Sequence, residues 1–211
     1  MLVGMGMDEI ETFSFISPSY YDKIRLAADD YRRKCVVISN PLGEDTSVMR
    51  TSTLPSMLKV LADNYAKKNQ AVTLFEMSKV YLPKSEDELP DEPGRITLGF
   101  TTSDDKNGFY RMKGYIEAIL DIAGITNAVF KAEKNEPTFH PGRCAVVYSG
   151  DKKLGIFGEA YPEVSENYGI GARVYLAELE SDNIFDTRRR EIEFTPIPKH
   201  PAIERDFSFV C

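Results

Sequence analysis

The sequence predicts an α+β fold, in which an antiparallel sheet is flanked by helices. Segments with apolar residues at helical spacing interleave along the chain with segments rich in strand-forming residues, which is typical of this class. The chain has 211 residues, of which 42% are hydrophobic, and this composition suffices for one main domain with its own core.

The first fifty residues predict short elements. Residues 1–7 look like the last turn of a helix whose body is absent, and residues 8–15 alternate into an apolar strand that Ser17-Pro18 closes. Residues 19–28 favour a helix. Residues 36–38 predict a short buried strand that runs into a turn at Asn40-Pro41.

The next segment predicts a helix followed by a hairpin. Apolar residues at helical spacing indicate a helix over residues 54–65, with Thr53 placed to cap it and Pro55 tolerated in its first turn. Residues 72–82 and 95–102 are rich in strand formers. They predict a hairpin whose acidic loop, residues 83–93, is a solvated surface loop.

The second half continues the alternation. A second amphipathic helix around Ile116 ends at Gly124. Further strands are predicted at residues 145–149, 153–160 and 174–180, with a short helix at 163–168. The spacing of Gly155 and Gly158 inside a strand indicates a bulge or close packing.

Three prolines between residues 194 and 201 are typical of a linker, and a new strand begins at residue 206. We therefore divide the chain into a core domain, residues 1–193, and a linker with one strand, residues 194–211. An isolated apolar strand does not stay ordered alone. We expect it to pair with an edge of this core or of a neighbouring molecule, with Phe207 and Phe209 buried.

Charge and cysteine content exclude several classes of protein. A net charge of −7 disfavours an autonomous nucleic-acid binder. The chain has no apolar run of membrane-spanning length and no secretory signal pattern, so we expect a soluble, cytoplasmic protein without a membrane partner. Cys35, Cys144 and Cys211 are far apart and odd in number, which predicts reduced thiols and no zinc site.

Six motifs, taken together, resemble the class II synthetase-like core of bacterial phenylalanyl-tRNA synthetase β subunits. In chain order they are Asn40-Pro41-Leu42-Gly43, Met49-Arg50-Thr51-Ser52, residues 74–81, residues 109–114, His140-Pro141-Gly142-Arg143 and residues 157–162. The resemblance covers nearly the whole chain. It implies a class II fold whose first signature helix is truncated, followed by the start of a truncated anticodon-binding domain.

The same resemblance implies a core without an active site. Active class II enzymes hold ATP with arginines, one after the second signature strand and one on the helix after the third. Here Leu82-Pro83-Lys84-Ser85 follows the second, and the third offers Glu178, Glu180 and Asp182, whose carboxylates repel ATP. We therefore assign no catalytic residue, no metal ligand and no cofactor to this chain.

The function that the resemblance implies is mechanical. The chain packs against the catalytic α subunit of an α2β2 phenylalanine-tRNA ligase, which uses ATP and Mg²⁺ and contacts tRNA as a whole complex. Apolar surface near residues 1–7, left by the truncated helix, is expected to bind that subunit or to form a homodimer.

The residues with predicted structural roles fall into three groups. One group shapes the turn and the helix start, one lies on the central strand, and one shapes the start of a later strand. These groups are, respectively, Asn40, Pro41, Arg50, Thr51 and Pro55; Phe75 and Glu76; and Gly142 and Arg143. Glu76 points away from Phe75 and pairs with an arginine of this domain or of a partner. Gly142 is expected to supply a φ that other residues resist.

Two rival functions remain. One is a stand-alone synthetase-like enzyme that activates a small acid with ATP, with Arg111, Lys113 or Arg143 replacing the missing arginines. The other is a weak RNA-binding module, which requires more than the basic run at residues 188–190. His140 and Cys144 are more simply a turn and a structural thiol than a catalytic dyad, because no third orienting group accompanies them.

Overall fold

The computed structural model describes residues 1–85, 88–103, 107–188, 194, 196–197, 199–200 and 203–210. Its strands are β1 (Asp8–Glu9), β2 (Phe15–Ile16), β3 (Val48–Met49), β4 (Thr73–Lys79), β5 (Gly94–Thr102), β6 (Ala128–Ala132), β7 (Phe139–Ser149), β8 (Lys152–Ala160) and β9 (Arg173–Glu180). Its α-helices are α1 (Tyr20–Lys23), α2 (Leu54–Ala66), α3 (Gly108–Ile122), α4 (Pro162–Asn167) and α5 (Ser181–Thr187). Short 3₁₀ turns occur at Val3–Met5, Tyr31–Arg33 and Glu44–Thr46.

A seven-stranded sheet in the order β1-β4-β5-β9-β8-β7-β6 organises the chain. All neighbouring strands in it are antiparallel except β1, which runs parallel to β4. Strands β2 and β3 form a separate two-stranded antiparallel ribbon. The predicted α+β class is confirmed. Strand β4 lies beside the two-residue edge strand β1, however, and is not central.

Helix α2 covers one face of the sheet, as its sequence predicts. Its apolar residues Leu54, Met57, Leu58 and Leu61 are each no more than 1% exposed. Gly99 on β5 makes the close approach possible, because a Cβ there would lie 2.6 Å from Cγ of Met57. This face therefore has no room for a ligand between α2 and β5.

Helix α3 covers the opposite face. Met112, Ile116 and Leu120 repeat at helical spacing and are buried against the sheet. Aromatic rings fill this layer in stacked pairs. Phe100 lies 5.2 Å from Tyr175, and Phe109 lies 5.0 Å from Phe157, measured between ring centroids. Both faces of the sheet are thus packed by helices.

The N-terminal predictions were only partly right. The strand predicted at residues 8–15 is replaced by the two-residue strands Asp8–Glu9 and Phe15–Ile16. Between them, the backbone N and the hydroxyl of Thr12 donate to the Glu76 carboxylate. The helix predicted at residues 19–28 is only Tyr20–Lys23, because Arg25 adopts φ +65° and ends it. Val37 makes one isolated bridge to Val48 and is 72% exposed, so the buried strand at residues 36–38 is wrong.

The later strands agree with prediction, with one correction at β7. The predicted hairpin is β4 paired with β5, and the three later strands are parts of β7, β8 and β9. β7 begins at Phe139, so residues 140–143 lie within it, where its register against β8 shifts between Phe139 and Cys144. Gly142 has no positive φ, contrary to the prediction. The sequence pattern did not predict β6 or α5.

The C-terminal strand prediction is wrong for this chain. Residues 203–210 form no strand, and Phe207 and Phe209 are 76% and 83% exposed. Their rings stack on each other, with centroids 6.4 Å apart, rather than on the core. The linker interpretation of residues 196–201 loses that support. Arg189, Arg190 and Cys211 lie outside the described residues.

The glycines at 158 and 114 provide a matched test of packing. A Cβ at Gly158 would lie 2.4 Å from the carbonyl oxygen of Arg143, which is backbone and cannot rotate away. We expect Gly158→Ala to lower the free energy of unfolding by about 1–3 kcal/mol. Gly114, within α3, has no atom within 4 Å of such a Cβ. Gly114→Ala is expected to raise it by about 0.5–1 kcal/mol. Urea denaturation of both variants measures the difference, and equal effects would contradict this packing.

Candidate functional site

A row of polar side chains, two of them buried and the third half-buried, crosses three strands on the face that α2 covers. Glu76 on β4 is opposite Thr97 on β5, and Thr97 is opposite Glu178 on β9. We call these three residues the polar row. Residues 50–53, which lead into α2, lie against it through hydrogen bonds from Arg50, Ser52 and Thr53.

Glu76 and Arg50 form a buried ion pair at one end of the row. Each side chain is 1% exposed, and Nη1 of Arg50 lies 3.4 Å from Oε1 of Glu76. The backbone N and Oγ1 of Thr12 donate to the same Oε1 at 3.0 and 2.8 Å. Nε of Arg50 donates to the carbonyl of Lys79 at 3.0 Å. The partner of Glu76 is therefore an arginine of this domain.

Glu178 serves the start of α2 at the other end of the row. Its Oε1 accepts from Oγ of Ser52 at 2.9 Å and from the N and Oγ1 of Thr53 at 2.6 and 2.8 Å. Thr53 also bonds Thr97 through their hydroxyls. The predicted side-chain cap by Thr53 is wrong, because its hydroxyl turns to the sheet and makes no bond to the helix. A carboxylate from β9 satisfies the helix start instead, where negative charge is favourable.

Tyr21 and Thr51 extend this network toward the ribbon. The hydroxyls of the two residues lie 2.8 Å apart, and the backbone N of Thr51 donates to the phenol oxygen at 3.0 Å. Sγ of Cys35 donates to the same oxygen at 3.4 Å. Burial raises the pKa of both the Tyr21 phenol and the Cys35 thiol. Both groups are therefore uncharged at neutral pH.

A second cluster gathers two arginines on one carboxylate. Arg143 on β7 and Arg173 on β9 place Nη1 at 2.9 and 3.2 Å from Glu159 on β8, which is 4% exposed. The Tyr175 hydroxyl donates to the same carboxylate at 2.8 Å. Burial, reinforced by this bond, raises the pKa of Tyr175 to about 12. Sequence reasoning assigned no role to Glu159, although this residue lies within the motif at residues 157–162.

His140 and Cys144 lie near this cluster and show structural environments. Nδ1 of His140 accepts from the backbone N of Gly142 at 3.0 Å, within its own bend. Cys144 is buried, and burial raises the pKa of its thiol to about 12. A protonated buried thiol is a poor nucleophile, and this environment favours the structural interpretation of both residues.

The cations proposed for a rival enzyme do not share a site among the described residues. Arg111 lies 4.6 Å from the Phe100 ring and donates to Oγ1 of Thr73 at 2.8 Å. Lys113 bonds Glu117 and lies 4.5 Å from the Phe130 ring. Arg143 is held by Glu159. Each of the three is engaged by a different partner.

The remaining predicted residues occupy structural positions. Asn40 and Pro41 are exposed in the turn before β3, where Ser39 donates to Oδ1 of Asn40 at 3.5 Å. Pro55 lies in the first turn of α2 and is buried. Phe75 is 6% exposed and belongs to the core layer under α3, opposite in direction to Glu76. Their predicted roles stay predictions.

Neither a metal site nor a membrane span is found in the part of the chain that the structure describes. No three His, Cys, Asp or Glu side chains are grouped there as metal ligands would be. None of the described helices is both long enough and apolar enough to cross a membrane.

Comparison with known proteins gives one consistent family. Residues 1–181 match the family model described as the phenylalanyl tRNA synthetase beta chain CLM domain. The phenylalanine–tRNA ligase β subunit of Clostridium tetani is 38% identical over 211 residues, covering 100% of this chain and 26% of the relative. That of Clostridium acetobutylicum is 40% identical over 209 residues, covering 99% and 26%. The chain thus spans about a quarter of the length of these relatives.

A solved structure supports the fold. The pyrrolysyl-tRNA synthetase from Desulfitobacterium hafniense superposes with a TM-score of 0.70 at 14% identity, over 87% of this chain and 63% of that one. At this identity the likeness shows the class II synthetase fold and not a shared activity.

The buried Arg50–Glu76 pair generates a stability prediction. Arg50→Met leaves the Glu76 carboxylate buried without its cation, and we expect the free energy of unfolding to fall by about 3–5 kcal/mol. Lys59→Ala is the control, because Lys59 and Asp63 form an exposed pair that contributes at most about 0.5 kcal/mol. Chemical denaturation measures both. A loss below about 1 kcal/mol for Arg50→Met would contradict the importance of the pair.

Proposed function

Since the chain belongs to the phenylalanyl-tRNA synthetase β-chain family, we propose that it is a non-catalytic core domain whose work is mechanical. It packs against the catalytic α subunit of phenylalanine–tRNA ligase and supports the complex, an α2β2 assembly, that charges tRNA. ATP, Mg²⁺ and phenylalanine are bound by other parts of that complex. The whole enzyme acts in the cytoplasm.

The observation that carries this proposal is the position of Glu178. A class II fold that binds ATP must offer cations to its phosphates, because developing negative charge is stabilised by positioned positive groups. In this chain β9 instead carries the carboxylate of Glu178. That carboxylate accepts hydrogen bonds from Ser52 and Thr53 at the start of α2. The group is a structural part of the fold and repels phosphate.

The segment after β4 supports the same conclusion. Leu82 exchanges backbone hydrogen bonds with Asp91, and Lys84 lies 2.5 Å from the carboxylate of Asp91. Lys84, the one cation of residues 82–85, is therefore held by a carboxylate of the acidic loop. A lysine engaged in this way offers little to a nucleotide.

An exposed apolar surface is the candidate contact with the α subunit. Val3, Met77, Ile122 and Phe185 are between 47% and 67% exposed and line one groove beside α3 and α5. Large exposed apolar side chains that share a groove mark interaction sites. The surface includes residues near 1–7, where the sequence predicts it.

We expect the isolated chain to show no phenylalanine-dependent ATP–pyrophosphate exchange above a buffer control. The reason is electrostatic: Glu178 on β9 carries a negative charge, and Lys84 after β4 is paired with Asp91, so neither residue offers an unpaired cation to ATP. The complete ligase serves as the positive control in the same assay. Turnover that scales with the concentration of the purified chain would end the non-catalytic interpretation.

Binding to the α subunit gives a second test. Ile122 is 67% exposed in the groove, so Ile122→Asp should leave the fold intact and weaken binding to purified α subunit at least about tenfold. Leu42→Asp is the matched control, because Leu42 is 96% exposed in the turn before β3 and does not line the groove. This variant should bind the α subunit as tightly as the unmodified chain. Biolayer interferometry measures both affinities, and circular dichroism checks folding. If Ile122→Asp and Leu42→Asp bind the α subunit with equal affinity, this groove is not the contact surface. If the unmodified chain does not bind the α subunit at all, the proposed partner is wrong.

A further inference from the structure

A polar cavity lies beside the buried ion pair, between β4 and the connection that follows β1. Its volume is ≈ 500 Å³. The polar side chains that line it come from β1, the connection after β1, β4 and the residues just after β4: Glu9, Thr12, Ser14, Glu76, Ser78 and Tyr81. We call it the Glu76 cavity.

Two buried oxygen atoms at this cavity have no hydrogen-bond partner: Oε2 of Glu76 and Oγ of Ser78. The two residues are two positions apart on one strand, so their side chains point to the same side of the sheet. All the donors to Glu76 reach its other oxygen, Oε1, which accepts from Thr12 and from both terminal nitrogens of Arg50. A buried acceptor without a donor is rare in proteins, so a donor bound beside these two oxygens would be stabilised.

The charges around the cavity favour a cationic occupant. Glu9 and Glu11 line the cavity and are exposed. Of the two cations there, Lys79 lies 3.0 Å from Glu92, and Arg50 is held by Glu76, by Thr12 and by the carbonyl of Lys79. The Tyr81 hydroxyl lies 3.4 Å from that of Ser14. Carboxylates therefore outnumber cations among the residues that line the cavity. In addition, Oε2 of Glu76 and Oγ of Ser78 accept no hydrogen bond from the described residues.

We propose that the Glu76 cavity binds a primary ammonium group, whose N–H groups donate to Oε2 of Glu76 and Oγ of Ser78. The ammonium nitrogen combines a positive charge with three donors, which suits a buried carboxylate oxygen and a hydroxyl. The group belongs either to a small free amine or to a lysine of a partner. This site goes beyond the proposed mechanical function, and it does not rest on the missing arginines.

The test is a ¹H–¹⁵N NMR titration of the chain with methylammonium chloride at constant ionic strength. We expect saturable shifts of the backbone amides of residues 76–78. Tetramethylammonium chloride, which carries the charge without N–H donors, should cause none. Ser78→Ala removes one acceptor without removing an existing bond, and we expect it to raise the dissociation constant about fivefold while leaving the fold intact. Ser39→Ala, an exposed serine in the distant turn, should leave it unchanged.

Shifts that do not saturate, that tetramethylammonium reproduces, or that Ser78→Ala leaves unchanged would overturn the site and indicate a cavity that holds water only. The source of the ammonium group is separated by repeating the titration with α subunit present. If α subunit abolishes the methylammonium response, the group is a lysine of that subunit. If the response persists, the group is a free amine.

Discussion

The buried pair of Arg50 and Glu76 is the constraint on which the arrangement of the N-terminal half depends. Two charges removed from water are tolerated only when hydrogen bonds surround them, and each bond here fixes a different part of the chain. Thr12 anchors the connection after β1, and the carbonyl of Lys79 anchors the end of β4. Residues 50–53 are thereby held against the sheet, and the direction of α2 follows from their position.

Glu178 shows how this class II synthetase fold uses a strand carboxylate for structure. The sheet and helices are determined by apolar residues at periods of two and about 3.6, and these periods are independent of any charge needed for catalysis. One carboxylate on β9 both stabilises the start of α2 and opposes a bound phosphate. The atom that stabilises the start of α2 thus also supports the non-catalytic role proposed for this core, because its negative charge is unfavourable for a phosphate.

The long periodic elements could be predicted from sequence, and the short ones could not. Helices α2 and α3 and the pair β4–β5 carry many apolar residues at one spacing, so local pattern and tertiary packing agree. The chain before α2 is shaped by single contacts between distant residues, such as Thr12 with Glu76, which lie 64 positions apart. The prediction that Thr53 caps α2 is wrong for the same reason. Its hydroxyl donates to the carboxylate of Glu178 on β9, a residue far away in sequence that no local pattern reveals. Arg50 and Glu76 were found as candidates from the resemblance, but their pairing required the fold.

The segment at residues 203–210 shows the limit of a strand pattern taken alone. Its alternating Phe207 and Phe209 have the period of a strand, but a strand is stabilised by a neighbour that supplies hydrogen bonds and a face to cover. The outer strands of the sheet are β1, with two residues, and β6, with five, and the segment pairs with neither. Among the described residues, the last buried side chain before it is Ile184 on α5. The core buries none of residues 203–210, so the alternating pattern indicates that this segment is able to pair but does not identify a strand for it to pair with.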